Sequence, residues 1–116
     1  MPKRYLAIFT FFAGLQLSAT ALIVNISGDS NSTIGGSFNA SLIPFSGDLR
    51  GCLNYANNYP GDYEINFQLT GGSETILLSR MLPVINLFGS NIVSIDGVNS
   101  LGSGMPITID GTSTYP

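Results

Sequence analysis

Two carboxylates near the C-terminal end have the type and spacing to do chemistry. Asp96 and Asp110 close two similar stretches, Val93-Ser94-Ile95-Asp96-Gly97 and Ile107-Thr108-Ile109-Asp110-Gly111. Stacked on neighbouring strands, a carboxylate pair could supply the acid and base of glycoside hydrolysis or hold Ca²⁺. The competing reading is local. An Asp before a Gly hydrogen-bonds its own backbone in a turn and needs no second role. The turn reading is the one adopted. The rest of the inventory is thin. The 116 residues contain no histidine, which removes the Ser-His-Asp triad, the Cys-His dyad and His-liganded metals. The sole cysteine, Cys52, has no activating base beside it in the sequence and is read as a small buried residue. No Gly-rich run leads into a Lys as a phosphate loop does, and Ca²⁺-binding nonapeptide repeats are missing. No catalytic, cofactor-binding or metal-binding residue is assigned, and no cofactor is expected.

The elements that would position any site are short strands and one helix. Leu22–Ser27 is β-branched and apolar, a strand signal. Gly28–Ser41 is a polar, Gly-rich loop. Leu49, Cys52, Leu53 and Ala56 then fall at i, i+3, i+4 and i+7, one apolar stripe on a helix. Ser46 or Asp48 can cap its N-terminus, and Pro60-Gly61 stops it. A helix this short does not persist alone in water and must lie on something. Its other face carries Arg50, Asn54, Asn57 and Asn58, expected to meet solvent or loops, with Asp48 or Glu64 as partners for Arg50. Strands follow at "YEINFQL", with Ile65, Phe67 and Leu69 on one face, then at "TILLS", "LPVINLF", "NIVSIDG" and "PITIDG". The similarity of the last two suggests stacked repeats, although a sandwich with repeated Asp-Gly turns would show the same pattern.

The N-terminus has the order of a secretory leader. Pro2-Lys3-Arg4 is basic, Tyr5–Leu17 is apolar, and Ala19-Thr20-Ala21 offers small residues for cleavage after Ala21. The apolar run is shorter than the roughly 20 residues of a membrane-spanning helix; an uncleaved anchor is the competing reading. Removing residues 1–21 takes away both Lys3 and Arg4. Arg50 and Arg80 then face seven acids, a net charge of −5 with no Lys. That balance lacks the basic footprint of a nucleic-acid binder and any pull toward anionic membranes. One cysteine forbids an intrachain disulfide, so stability must come from burial or repetition. Asn25, Asn31 and Asn39 begin N-x-[ST] sequons.

Residues 48–67 carry a resemblance. Leu49, Arg50, Ala56, Asn57, Pro60, Gly61, Ile65 and Phe67 match S-L-R-x-A-I-x-x-A-N-x-x-P-G-x-D-x-I-x-F. That motif resembles the N-terminal entry of right-handed parallel β-helix proteins, in particular bacterial surface, autotransporter and polymorphic outer-membrane passengers. Cys52 stands for the small Ala, Leu53 for Ile and Asp48 for Ser, while Tyr63 sits where Asp is usual. "LPVI", "IVSIDG" and "IVNISGDS" are similar to further family segments. The resemblance implies an all-β, pectin-lyase-like solenoid with a short N-terminal capping α-helix. The cap would be formed by Leu49, Arg50, Cys52, Leu53, Ala56, Pro60 and Gly61. It divides the chain into a signal peptide (1–21), first strand and polar loop (22–47), capping helix (48–59) and first β-helix rungs (60–116). The resemblance is to bacterial proteins, which implies that the sequons are not glycosylation sites.

The function expected is a non-catalytic, exported surface segment of an adhesin-type passenger, located at the cell surface, in the outer membrane or outside the cell. Its partners would be downstream rungs of the same protein and a host or cell-surface ligand. Nucleic acid and a transmembrane segment in the mature chain are not expected. The alternative is the start of a secreted polysaccharide-active enzyme, a lyase or glycoside hydrolase with its catalytic rungs beyond Pro116.

Overall fold

The computed structural model describes residues 19–29, 36–70, 74–86, 92–101 and 104–112. Most of the leader, Asn31 and the last four residues lie outside this set. The described elements are β1 (Thr20–Val24), β2 (Phe38–Asn39), β3 (Phe45–Gly47), α1 (Leu49–Asn58), β4 (Tyr63–Phe67), β5 (Thr75–Leu77), β6 (Val93–Asn99) and β7 (Thr108–Asp110).

The central strand is β1. Its Leu22, Ile23 and Val24 are all buried, as suits a strand covered on both faces. It pairs in parallel with β3 on one side and with β4 on the other, so that Leu22 meets both Phe45 and Ile65. In β4 the side chains alternate: Tyr63, Ile65 and Phe67 are buried, while Glu64 is exposed. These columns and the α1 stripe form one core with Leu69, Ile76 and Leu78. The helix lies against β1, β2 and β3, and the Cys52 thiol reaches the Ile23 carbonyl at 3.6 Å.

The all-β solenoid is not what the chain forms. The fold is a small α/β arrangement of a five-stranded mixed sheet, β2-β3-β1-β4-β6, and a separate two-stranded parallel sheet, β5-β7. Three features break a parallel β-helix of the pectin-lyase-like kind. First, β2 runs antiparallel to β3. Second, β6 loses its register against β4: Ile65 pairs with Ile95 but Phe67 with Asn99, so Asp96-Gly97-Val98 bulge opposite Asn66. Third, the chain after β6 turns back on it. Asn99 N–H donates to Met105 O at 2.9 Å, Ile107 N–H donates to Gly97 O at 2.8 Å, and Val98 bridges Pro106 in antiparallel sense. A solenoid needs equivalent residues to stack at a fixed repeat, and the two similar stretches do not stack: β6 pairs with β4, and β7 with β5.

Local chemistry decides the remaining differences. The strand expected at "LPVINLF" does not form over 81–86; residues 87 and 88 lie outside the described set. Pro83 has no N–H for a ladder. Asn57 engages this segment instead, donating to Val84 O and accepting from Asn86 N–H, both at 2.8 Å. Asn99 ends β6 by bonding both backbone groups of Leu69, each at 3.0 Å.

Gly51 in the first turns of α1 gives a direct test of this packing. A Cβ there would lie 2.5 Å from Ser37 O and 2.8 Å from Phe38 Cβ. In an exposed helix, Gly→Ala gains about 1 kcal/mol. Here Gly51→Ala is expected to lose about 1–3 kcal/mol through overpacking, read as a fall in the urea midpoint at constant slope.

Candidate functional site

The start of α1 is where the charged side chains converge. Asp48 is the N-cap, in extended backbone conformation at φ −83° and ψ 170°. Its Oδ1 accepts from Gly51 N–H at 2.7 Å, and its Oδ2 from Ser37 N–H at 3.0 Å. Its own N–H donates to Ser37 O at 2.8 Å. One carboxylate thus satisfies an orphan helix donor and ties the helix to the loop before β2.

Arg50 lies two residues on and is 3 % exposed. The expected solvent contact and the expected carboxylates, Asp48 or Glu64, are replaced by Asp29. Arg50 Nε donates to Asp29 Oδ1 and Nη2 to Asp29 Oδ2, both at 2.8 Å. This is the bidentate fork that a guanidinium makes best. Nη1 also donates to Met81 O and Nη2 to Arg80 O, each at 2.8 Å. Ser79 completes the far side, its N–H and hydroxyl both donating to Asp29 Oδ2 at 2.8 and 2.9 Å. Hydrogen bonding to Arg50 is the main cause that brings the Asp29 carboxyl down to about 2, and burial opposes it. The same bond raises the Arg50 guanidinium above its ordinary value. Burying a charge pair is favourable only when its remaining lone pairs and protons are satisfied, and here two loops and a helix satisfy them together. The clamp joins the loop after β1, the first turn of α1 and the segment after β5.

The rest of the helix is packing. Leu49, Cys52, Leu53 and Ala56 are buried. Burial, aided by the Asp48 charge, pushes the Cys52 thiol up to about 12. A thiol so protonated is no nucleophile near neutral pH. In native protein at pH 8, Cys52 is expected to resist iodoacetamide and to react fully in urea; mass spectrometry of both samples checks this. Pro60 is exposed after the C-cap Tyr59, and Gly61 lies against the Tyr63 ring, 3.4 Å from its hydroxyl in the sense of an added Cβ.

An aromatic cluster was not foreseen from the helix spacing. Tyr55 stands with ring centroids 4.7 Å from Phe38 and from Tyr59, 5.7 Å from Phe45 and 6.0 Å from Tyr63. The Tyr63 hydroxyl donates to Tyr59 O at 2.6 Å. The recurrence of Tyr at 55, 59 and 63, at i, i+4 and i+8, is the signal in the sequence.

Asp96 and Asp110 stay apart. Asp110 Oδ1 accepts from Thr112 N–H at 2.9 Å, a local turn that lowers its pKa through that bond. Asp96 sits exposed in the β6 bulge rather than in a turn, and the two belong to different sheets. Among the described residues no group of His, Cys, Asp and Glu could hold a metal ion. Two hollows, of about 270 and 450 Å³, flank β3, and no charged side chain lines either. The chain gives no match to family models, to curated proteins or to solved structures.

Proposed function

We propose that this chain is an exported, non-catalytic surface segment that acts by presenting a polar, acidic and apolar exterior to a ligand on a host or neighbouring cell. The observation that carries the reading is the position of the reactive side chains. Asp29, Asp48, Arg50 and Cys52 point inward and are held by backbone groups or by one another. The exterior retains the carboxylates Asp62, Glu64 and Asp96 and the side chains of Asn, Ser and Thr, with exposed Ile43, Tyr59, Ile92 and Ile109. The basic, apolar and small-residue order of residues 2–21 supports export.

The test is location. The full chain carries an epitope tag after Pro116 and is produced in a bacterium with an intact export pathway. The tag is expected outside the cytoplasm, in the medium or reachable by antibody on intact cells. Recovery of the tag in the cytosolic fraction alone overturns the reading.

A further inference from the structure

The bond marked for leader cleavage lies inside the sheet. The small-residue triplet Ala19-Thr20-Ala21 and strand β1 overlap, since β1 already begins at Thr20. Thr20 pairs with Tyr63 and Ala21 with Glu64, and Thr20 N–H donates to Asp62 O at 2.9 Å. The next residue, Leu22, has strands on both sides, paired with Phe45 and with Ile65, and is 0 % exposed. A peptidase that reads small residues before the bond must take this segment out of the sheet to reach it.

The product of cleavage is also ill suited to the fold. Hydrolysis adds one water across the Ala21–Leu22 bond, leaving a carboxylate on Ala21 and an α-ammonium on Leu22. That ammonium would sit at a fully buried position, between Phe45 and Ile65. A buried charge without a partner is costly, and the Thr20 and Ala21 pairings with β4 are lost as well.

Resting on the export reading, we infer that folding and leader cleavage at Ala21–Leu22 exclude one another in this chain. Chains cut before β1 docks are released without residues 1–21. Chains that fold first keep Tyr5–Leu17 attached and stay tethered by it. One sequence then gives a released and a tethered form, in proportions set by the relative rates of cleavage and folding. When opening is fast relative to cutting, cleavage of an already folded chain follows the population of its open state, so stability at β1 sets how slowly the tethered form is cut.

The experiment uses the full chain in mild detergent with a purified membrane leader peptidase, followed by intact mass. Three substrates are compared: wild type, Phe67→Asp, and a synthetic peptide of residues 1–30. Phe67 is 1 % exposed and pairs with Val24, so Phe67→Asp opens the sheet without touching the cleavage residues; circular dichroism verifies the loss of fold. The peptide and Phe67→Asp are expected to be cut at Ala21–Leu22 at least about tenfold faster than wild type. Equal rates for wild type and Phe67→Asp, with the peptide cut, overturn the exclusion and leave the export reading standing. A peptide that is not cut removes the leader itself, and both readings fall.

Discussion

Arg50→Met is expected to lower the stability of the fold by about 3–5 kcal/mol, the usual cost of leaving a buried ion without its partner. The substitution removes the fork on Asp29 and the donors to the Arg80 and Met81 carbonyls at one stroke. The Asp29 carboxylate would keep only the two Ser79 bonds. Acid should reproduce part of the loss in wild type. The Asp29 carboxyl has its pKa at about 2 in the fold against an ordinary value of 3.8. The unfolded chain therefore binds this proton more readily than the folded one. The contribution is fully present above pH 3.8 and is lost progressively as the pH falls through about 2. Urea midpoints taken between pH 5 and pH 2 check this: the wild type should fall over that window, and Arg50→Met should fall less.

Leu53→Asp is the second large effect. Leu53 is 4 % exposed on the α1 stripe and belongs to the main core. An aspartate there has no partner among the apolar side chains around it, and the expected loss is about 3 kcal/mol or more. Glu64→Gln on the exposed side of β4 should stay within about 0.5 kcal/mol. Chemical denaturation of the two variants separates the inward stripe from the outer surface. Similar losses in both would mean that the stripe does not carry the burial.

Features set by neighbouring residues were the most legible in the sequence. The helix lies at Leu49–Asn58 because its apolar residues recur with helical spacing, Asp48 supplies an acceptor and Pro60 ends the run. The Tyr63–Phe67 alternation likewise reads directly as a strand with one buried face. What depends on distant partners did not show. Nothing in the spacing links Arg50 to Asp29, which comes from a polar loop, or to two backbone carbonyls beyond β5. A motif that places an Arg at the start of a helix does not say whether it faces water or a buried carboxylate. The leader triplet hides a similar ambiguity, because Ala19-Thr20-Ala21 suits a peptidase and the start of a strand equally well.

The repeat-like stretches misled for a physical reason. Ile-Asp-Gly is compatible with a turn and with a bulge. In β6 the bulge wins: Gly97 O accepts from Ile107 N–H and Val98 bridges Pro106, while Asn99 secures Leu69. In β7 the same letters end a strand, and Asp110 closes on Thr112. Two similar words thus serve two different sheets, and the solenoid inferred from their likeness gives way to a mixed α/β fold.

The central claim is that Arg50 and Asp29 are coupled as a structural clamp. A double-mutant cycle on Arg50 and Asp29 tests it most directly. Unfolding free energies are measured at pH 7 for wild type, Arg50→Met, Asp29→Leu and the double variant. Each single change strands one buried charge, whereas the double change removes both and leaves an apolar pair. The double variant is expected to be more stable than the sum of the single losses predicts, by about 1–3 kcal/mol. Losses that simply add, to within about 0.5 kcal/mol, would show that Arg50 and Asp29 act independently and would contradict the clamp.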